Sequence, residues 1–209
     1  MEDVLEVYAR PRDPDRPLVC LDEFCKQLIG DAREVVAAQP GQAQRQDYEY
    51  IRHGMCSVFM AYSPLESWRE VRVTGQRTAR DYAHTIRWLC DEVYPCADKI
   101  VLVQDNLNTH TPASLYEAFD PAEALRLKER IEWHYTPKHG SWLNMAEIEI
   151  GVAQRQCLSR RISEKTKVES ELHQWSKTRN ASRATTDWQF TTKDARIKLK
   201  RLYPSSGME

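Results

Sequence analysis

Val101-Leu-Val-Gln-Asp105-Asn106 decides how this chain is read. With Ile100 before it, the run is uninterruptedly apolar up to Gln104 and then stops on an acid, which predicts a strand buried on both faces. Working outward, Leu18-Val-Cys-Leu21 repeats the pattern and stops on Asp22, and Ile131-Glu-Trp-His-Tyr135 predicts a further strand. After it comes Thr136-Pro-Lys-His-Gly-Ser-Trp-Leu-Asn-Met-Ala-Glu147, a loop feeding a helix with a glutamate near its start. Side chains at strand ends project past an α/β sheet into a crevice. Three carboxylates gathered there could hold hard divalent cations for phosphoryl-transfer chemistry. Each acid alone is equally an ordinary turn residue.

The remaining segments fit the same frame. Gly54–Tyr62 is rich in strand formers, Ser63-Pro64 marks a turn, and Trp68–Thr74 alternates apolar with polar residues. These predict a strand-turn-strand unit antiparallel to its neighbours. Thr78–Tyr94 carries apolar residues at helical spacing and stops at Pro95. Thr111-Pro112 opens a second helix, Glu123–Arg130 reads as a third, and Ser141 is expected to cap a helix running to about Arg161. Three strands, helix, strand, helix, strand, helix predict an α/β protein, a mixed sheet flanked by helices. Three parts are expected: residues 1–17, polar and proline-punctuated and therefore linker-like; an α/β domain over 18–162, which the resemblance described below implies is the catalytic one; and a basic helical extension over 163–209, with its helix at Lys165–Lys177.

Hydrophobic content of 41% with 29% charged residues is that of a soluble globular chain. No apolar run approaches a membrane span, and the acidic start Met1-Glu-Asp-Val-Leu-Glu6 is no signal peptide, so a cytoplasmic location is expected. The six cysteines form no CxxC pair, which argues against a zinc ribbon and for free thiols. The net charge of −1 hides an asymmetry. Residues 151–209 hold 13 Lys and Arg against 6 Asp and Glu, whereas residues 1–150 hold 17 against 25. A basic tail behind an acidic body suits a protein that meets nucleic acid with one and metal with the other.

Glu149 lies two residues beyond Glu147, and the helical period separates them. Asn144, Glu147, Gly151 and Gln154 share a polar or small stripe, while Met145, Ile148, Val152 and Cys157 lie toward an apolar one. Glu147 is therefore expected to face the strand ends and Glu149 the periphery. Lys138 and His139 are candidates for contact with a DNA backbone, and Arg155, Arg160 and Arg161, with Lys165 and Lys167, for a phosphate-contacting ridge. His110 could order the site or contact a phosphate.

At Val19-Cys-Leu-Asp-Glu23, Leu102-Val-Gln-Asp-Asn-Leu-Asn-Thr-His110 and Thr136–Glu147 the chain resembles the DDE transposases of bacterial insertion sequences, specifically the mariner-like insertion-sequence 630 family. The resemblance runs over about residues 1–165, and the last motif is the most specific. It implies a ribonuclease H-like mixed sheet, with Asp22, Asp105 and Glu147 as the catalytic acids holding two Mg²⁺ ions, for which Mn²⁺ could substitute. It further implies DNA cleavage at element ends by water, joining of the freed 3′-hydroxyl to target DNA, and insertion at TA. The implied partners are transposon ends and target DNA, bound by a homodimer or by a complex with an N-terminal helix-turn-helix portion, in the cytoplasm at the nucleoid. Two features depart from the family's pattern. Helix-turn-helix units ahead of the catalytic domain have no room here, as in a truncated or split reading frame. The 42-position gap from Asp105 to Glu147 is long, with the excess placed in Asp120–Arg130. A hydrolysis-only ribonuclease H-like nuclease and a non-catalytic remnant that binds DNA or a full-length transposase are the alternatives.

Overall fold

The chain, as a computed structural model, is described over residues 1–203. Its strands are β1 (Leu18–Asp31), β2 (Tyr50–Ser63), β3 (Trp68–Thr74), β4 (Ile100–Gln104) and β5 (Ile131–Tyr135). Its helices are α1 (Glu2–Tyr8), α2 (Ala79–Trp88), α3 (Ala113–Ala118), α4 (Pro121–Glu129), α5 (Met145–Gln156), α6 (Lys165–Ala181) and α7 (Thr192–Lys198). The strands form one mixed sheet in the order β3-β2-β1-β4-β5. β1, β2 and β3 run antiparallel in succession, and β4 and β5 run parallel to β1. This is the expected α/β arrangement, a mixed sheet flanked by helices.

Strand alternation divides the core into two layers. Leu18 and Cys20 of β1, with Val101 and Val103 of β4, face α1, α5 and α6. Val19 and Leu21, with Ile100 and Leu102, face α2, α3 and α4. β4 is buried at all five positions because helices cover both of its faces. Among the described residues no helix is long and apolar enough to cross a membrane.

Four expectations need correction. Asp22 does not end a strand, because β1 continues to Asp31 as one arm of a long hairpin with β2. What ends near Asp22 is the pairing with β4, recorded only from Leu18↔Val101 to Cys20↔Val103. Residues 2–8 are a helix rather than part of a linker, because Val4, Leu5 and Val7 are buried in the layer above β1. Residues 10–17 remain irregular, as their prolines require.

Ser141 lies in a single 3-10 turn. The residue that caps α5 is Asn144, whose side chain accepts from the Ala146 N–H, and the helix ends at Gln156 rather than near Arg161. Finally, the segment from 163 onward is no mere extension, since Val168, Leu172, Trp175 and Ala195 are buried in the same layer as α1 and α5. Residues 204–209 of that segment lie outside the described residues.

Candidate active site

The sheet's geometry brings two of the candidate acids level. Cys20 pairs with Val103; Asp22 lies two residues further along β1, and Asp105 two residues beyond Val103, just past the end of β4. Asp22 shares the alternation of Leu18 and Cys20 and so belongs to the face covered by α5, the helix that carries Glu147. Asn144, at the head of that helix, donates its side-chain amide to the Leu21 carbonyl (2.9 Å) and to Asp22 Oδ2 (3.3 Å).

The company these acids keep is written in their protonation. Burial pushes the Asp22 carboxyl up to about 7, and the negative charges of Glu23, Asp105 and Glu147 add to the shift. The Glu23 N–H, at 2.8 Å from Asp22 Oδ1, opposes it only in part. Asp105 behaves differently. Burial raises its pKa, but the hydrogen bond and positive charge of His110 outweigh that and hold the carboxyl below its ordinary value. His110 shows the reverse balance: burial lowers it, and the bond to Asp105 and the nearby Glu23 carboxylate carry it up to about 9.

A hard divalent cation suits this donor set, since three carboxylates approach one sheet edge and crowd Asp22 with negative charge. The set is not a closed cage. Among the described residues no group of three His, Cys, Asp or Glu side chains stands ready to hold an ion. Asp105 Oδ1 is instead engaged by His110 Nδ1.

Comparison with known proteins bears on this arrangement. A profile of the DDE superfamily endonucleases matches residues 17–169. The chain belongs to that family. A search of curated proteins finds no match. Among solved structures, the chain is similar to the Mos1 strand transfer complex, with 13% identity and a TM-score of 0.36 over 88% of this chain and 60% of that one. Similar too are the Mos1 mariner paired end complex with Mn (14% identity, TM-score 0.33, 86% and 59% covered) and the Mos1 transposase paired-end complex with left transposon end (13%, 0.34, 87% and 60%). The chain spans about three fifths of the length of these Mos1 chains.

Within this DDE endonuclease domain, the loop from Thr136 to Glu147 folds as its sequence requires. His139 takes a left-handed backbone (φ 62°), and Gly140 follows because a Cβ there would lie 2.6 Å from the Pro137 ring. Lys138 and His139 are both exposed and line a cleft together with Asp105, Asn106 and Ser141. Arg155 is exposed, and its guanidinium lies over Gly151, one turn beyond Glu147.

The rest of the expected basic ridge is already engaged. Arg161 pairs with Asp31 at 2.7 Å and donates to the carbonyls of Asp47, Tyr48 and Glu49, which makes it a clamp on the β1–β2 hairpin. Arg160 and Lys167 both pair with Glu171 (2.6 and 3.0 Å). No ion pair of Lys165 is recorded among the described residues.

Glu149 does not face the periphery. It is 1% exposed and held by Arg179, which donates from Nε (3.1 Å) and Nη2 (2.8 Å), while Arg69 Nε of β3 lies at 3.1 Å. Ile148, expected in the apolar stripe, is 39% exposed instead. Both corrections have one cause: α5 is covered by α6 as well as by the sheet, so its buried face is turned toward Glu149. The sequence signal was weak, because the arginines that make Glu149 tolerable lie 80 residues upstream and 30 downstream.

Proposed function

We propose that this DDE endonuclease domain is the catalytic domain of a DNA transposase of the mariner-like insertion-sequence 630 kind, cutting DNA at element ends and joining the freed ends to target DNA. In this reading Asp22, Asp105 and Glu147 hold divalent metal, Mg²⁺ with Mn²⁺ as substitute. The observation that carries it is the crowding of Asp22 by the negative charges of Asp105 and Glu147, with Asp22 and Asp105 each two residues past the paired Cys20 and Val103. When bound, such ions polarise phosphoryl oxygens and lower the pKa of an attacking water or hydroxyl. The protein's own contribution is to aim the carboxylates: Asn144 steadies Asp22, and His110 steadies Asp105. Lys138, His139 and Arg155 are the residues best placed to meet DNA phosphates beside the acids. Transposon ends and target DNA are the partners in this reading, with assembly as a dimer or with an N-terminal DNA-binding portion, in the cytoplasm at the nucleoid.

The test is Mg²⁺-dependent nicking of DNA by the full chain. Asp105→Asn keeps the side chain's shape and removes its charge, so nicking is lost while the variant still folds cooperatively, at a lower melting temperature because the His110 pairing is weakened. Nicking at the wild-type rate by the variant removes Asp105 from the mechanism. An assay with pre-cleaved ends separates a transposase from a nuclease that only hydrolyses, because the latter gives no joined product. The second reading is a non-catalytic remnant that binds DNA. Failure of the wild-type chain to bind Mn²⁺ or to nick DNA would select that one.

A further inference from the structure

His110 is buried at the sheet edge between two carboxylates. It is 1% exposed, and each ring nitrogen faces a carboxylate: Nδ1 bonds Asp105 Oδ1, and Nε2 lies 3.1 Å from Glu23 Oε2. Glu23 Oε2 is itself buried and has no aligned hydrogen-bond donor among the described residues, while Arg77 reaches the other oxygen at 3.3 Å. The ring stacks on Tyr82 of α2, with centroids 4.8 Å apart and planes 28° apart. Tyr82 in turn donates to Gln104 Oε1 (2.7 Å), and Gln104 Nε2 donates to the His110 carbonyl (2.8 Å). A closed circuit thus runs from α2 through the last residue of β4 to both the ring and the backbone of His110.

The circuit has a directional result. Asp105 Oδ1 receives His110 and, at 3.3 Å, the Leu107 N–H. No protein donor to Oδ2 is recorded among the described residues. The carboxylate is gripped by one oxygen and presents the other.

We propose that His110 is a positioning residue for metal binding: by tying Asp105 to Glu23 across the sheet edge, it fixes the direction in which the second strand's acid offers its oxygen. The proposal rests on the reading of Asp105 as a metal ligand. Partners that orient metal-binding side chains typically affect metal affinity by about 10–100-fold when removed. A histidine that acted only as a nearby cation would do the opposite, because deleting it would relieve repulsion and tighten binding.

Mn²⁺ binding to the full chain, followed by calorimetry or by the free-ion electron paramagnetic resonance signal, distinguishes the two. His110→Phe keeps the ring stack on Tyr82 and removes both nitrogens, and we expect it to weaken Mn²⁺ binding about tenfold. His110→Gln retains one donor and should fall between that variant and the wild type. Binding as tight as, or tighter than, the wild type by either folded variant overturns the proposal. If His110→Phe does not fold, His110→Gln decides by the same criterion. Asp105→Asn is measured alongside: undiminished Mn²⁺ binding by it, or none by the wild type, overturns the metal reading and this proposal with it. Loss in Asp105→Asn with undiminished affinity in the His110 variants overturns the positioning role alone.

Discussion

Asn144 joins the helix that carries Glu147 to the strand that carries Asp22, donating its side-chain amide to Asp22 Oδ2 at 3.3 Å while its carbonyl oxygen accepts the Ala146 N–H at 3.1 Å. One fully buried side chain thus caps α5 and fixes its first turn against β1. Asn144→Ala removes the cap, worth about 1 kcal/mol, and leaves the Leu21 carbonyl without that donor, at about 1–3 kcal/mol. A total loss of about 2–4 kcal/mol is expected in urea unfolding. Asn144→Asp keeps the cap but sets a carboxylate against Asp22, so it should weaken Mn²⁺ binding less than Asp22→Asn yet destabilise the metal-free protein. An unfolding curve for Asn144→Ala that overlays the wild type would remove the bridge from the account.

The neighbouring acids on α5 are separable by stability. Glu149 lies between Arg69, which is 0% exposed, and Arg179. Removing one partner of such a buried set leaves charge uncompensated and costs about 3–5 kcal/mol. Glu149→Gln should therefore lower the unfolding free energy by about 3 kcal/mol, whereas Glu147→Gln, on a partly exposed position, should change it by under 1 kcal/mol and abolish nicking. Thermal melts of the two variants side by side check this, and equal melting temperatures would contradict the assignment of a packing role to one and a chemical role to the other.

Acid stability should depend on Glu132. Burial raises its pKa, but bonds from Arg10, His134 and Arg16 outweigh burial and bring it down to about 2 from the ordinary glutamate value of 4.5. A folded-state pKa below the unfolded one means stability that is full above about 4.5 and is lost as the pH falls toward 2. The side chain is 21% exposed, so after allowance for screening the contribution is about 1–2 kcal/mol. Glu132→Gln should flatten the stability profile over that window and loosen residues 10–16, read by amide hydrogen exchange. An unchanged slope between pH 4.5 and 2 would show that the Arg10 and Arg16 contacts carry no stability.

What could be read from the sequence follows from how each element is buried. β4 announced itself because helices cover both faces and its first four positions are apolar, while the fifth, Gln104, is buried by bonding Tyr82 and the His110 carbonyl. β1 was legible only for its first four residues. Beyond Asp22 it leaves β4, lies in a hairpin with one face in solvent, and mixes Glu23, Lys26 and Gln27 with apolar positions. α1 was hidden by its shortness and acidity, since Val4, Leu5 and Val7 become a face only once the sheet is there to receive them. The acids at the sheet edge could be named because Asp22 and Asp105 follow apolar runs. The partners that hold them could not. His110 is linked to Glu23, 87 positions away, and Glu149 to Arg69, 80 positions away, and neither spacing leaves a local trace.

The basic residues divide along the same line, and DNA binding can test the division. Arg161 is spent on Asp31 and three backbone carbonyls, so its replacement should lower stability and disorder the β1–β2 hairpin without altering the salt dependence of DNA binding. Lys138 lines the cleft beside Asp105, and Arg155 reaches over Gly151, one turn beyond Glu147. Each phosphate contact on duplex DNA contributes about 0.9 to the slope of log K against log salt. The double variant Lys138→Gln with Arg155→Gln should therefore lower that slope by nearly two, while its melting temperature stays within a degree or two of the wild type's. Titrations of duplex DNA at several salt concentrations give the slope directly. If the Arg161 variant flattens it and the double variant does not, the phosphate contacts lie on the hairpin side of the sheet, and Lys138 and Arg155 have no part in holding DNA.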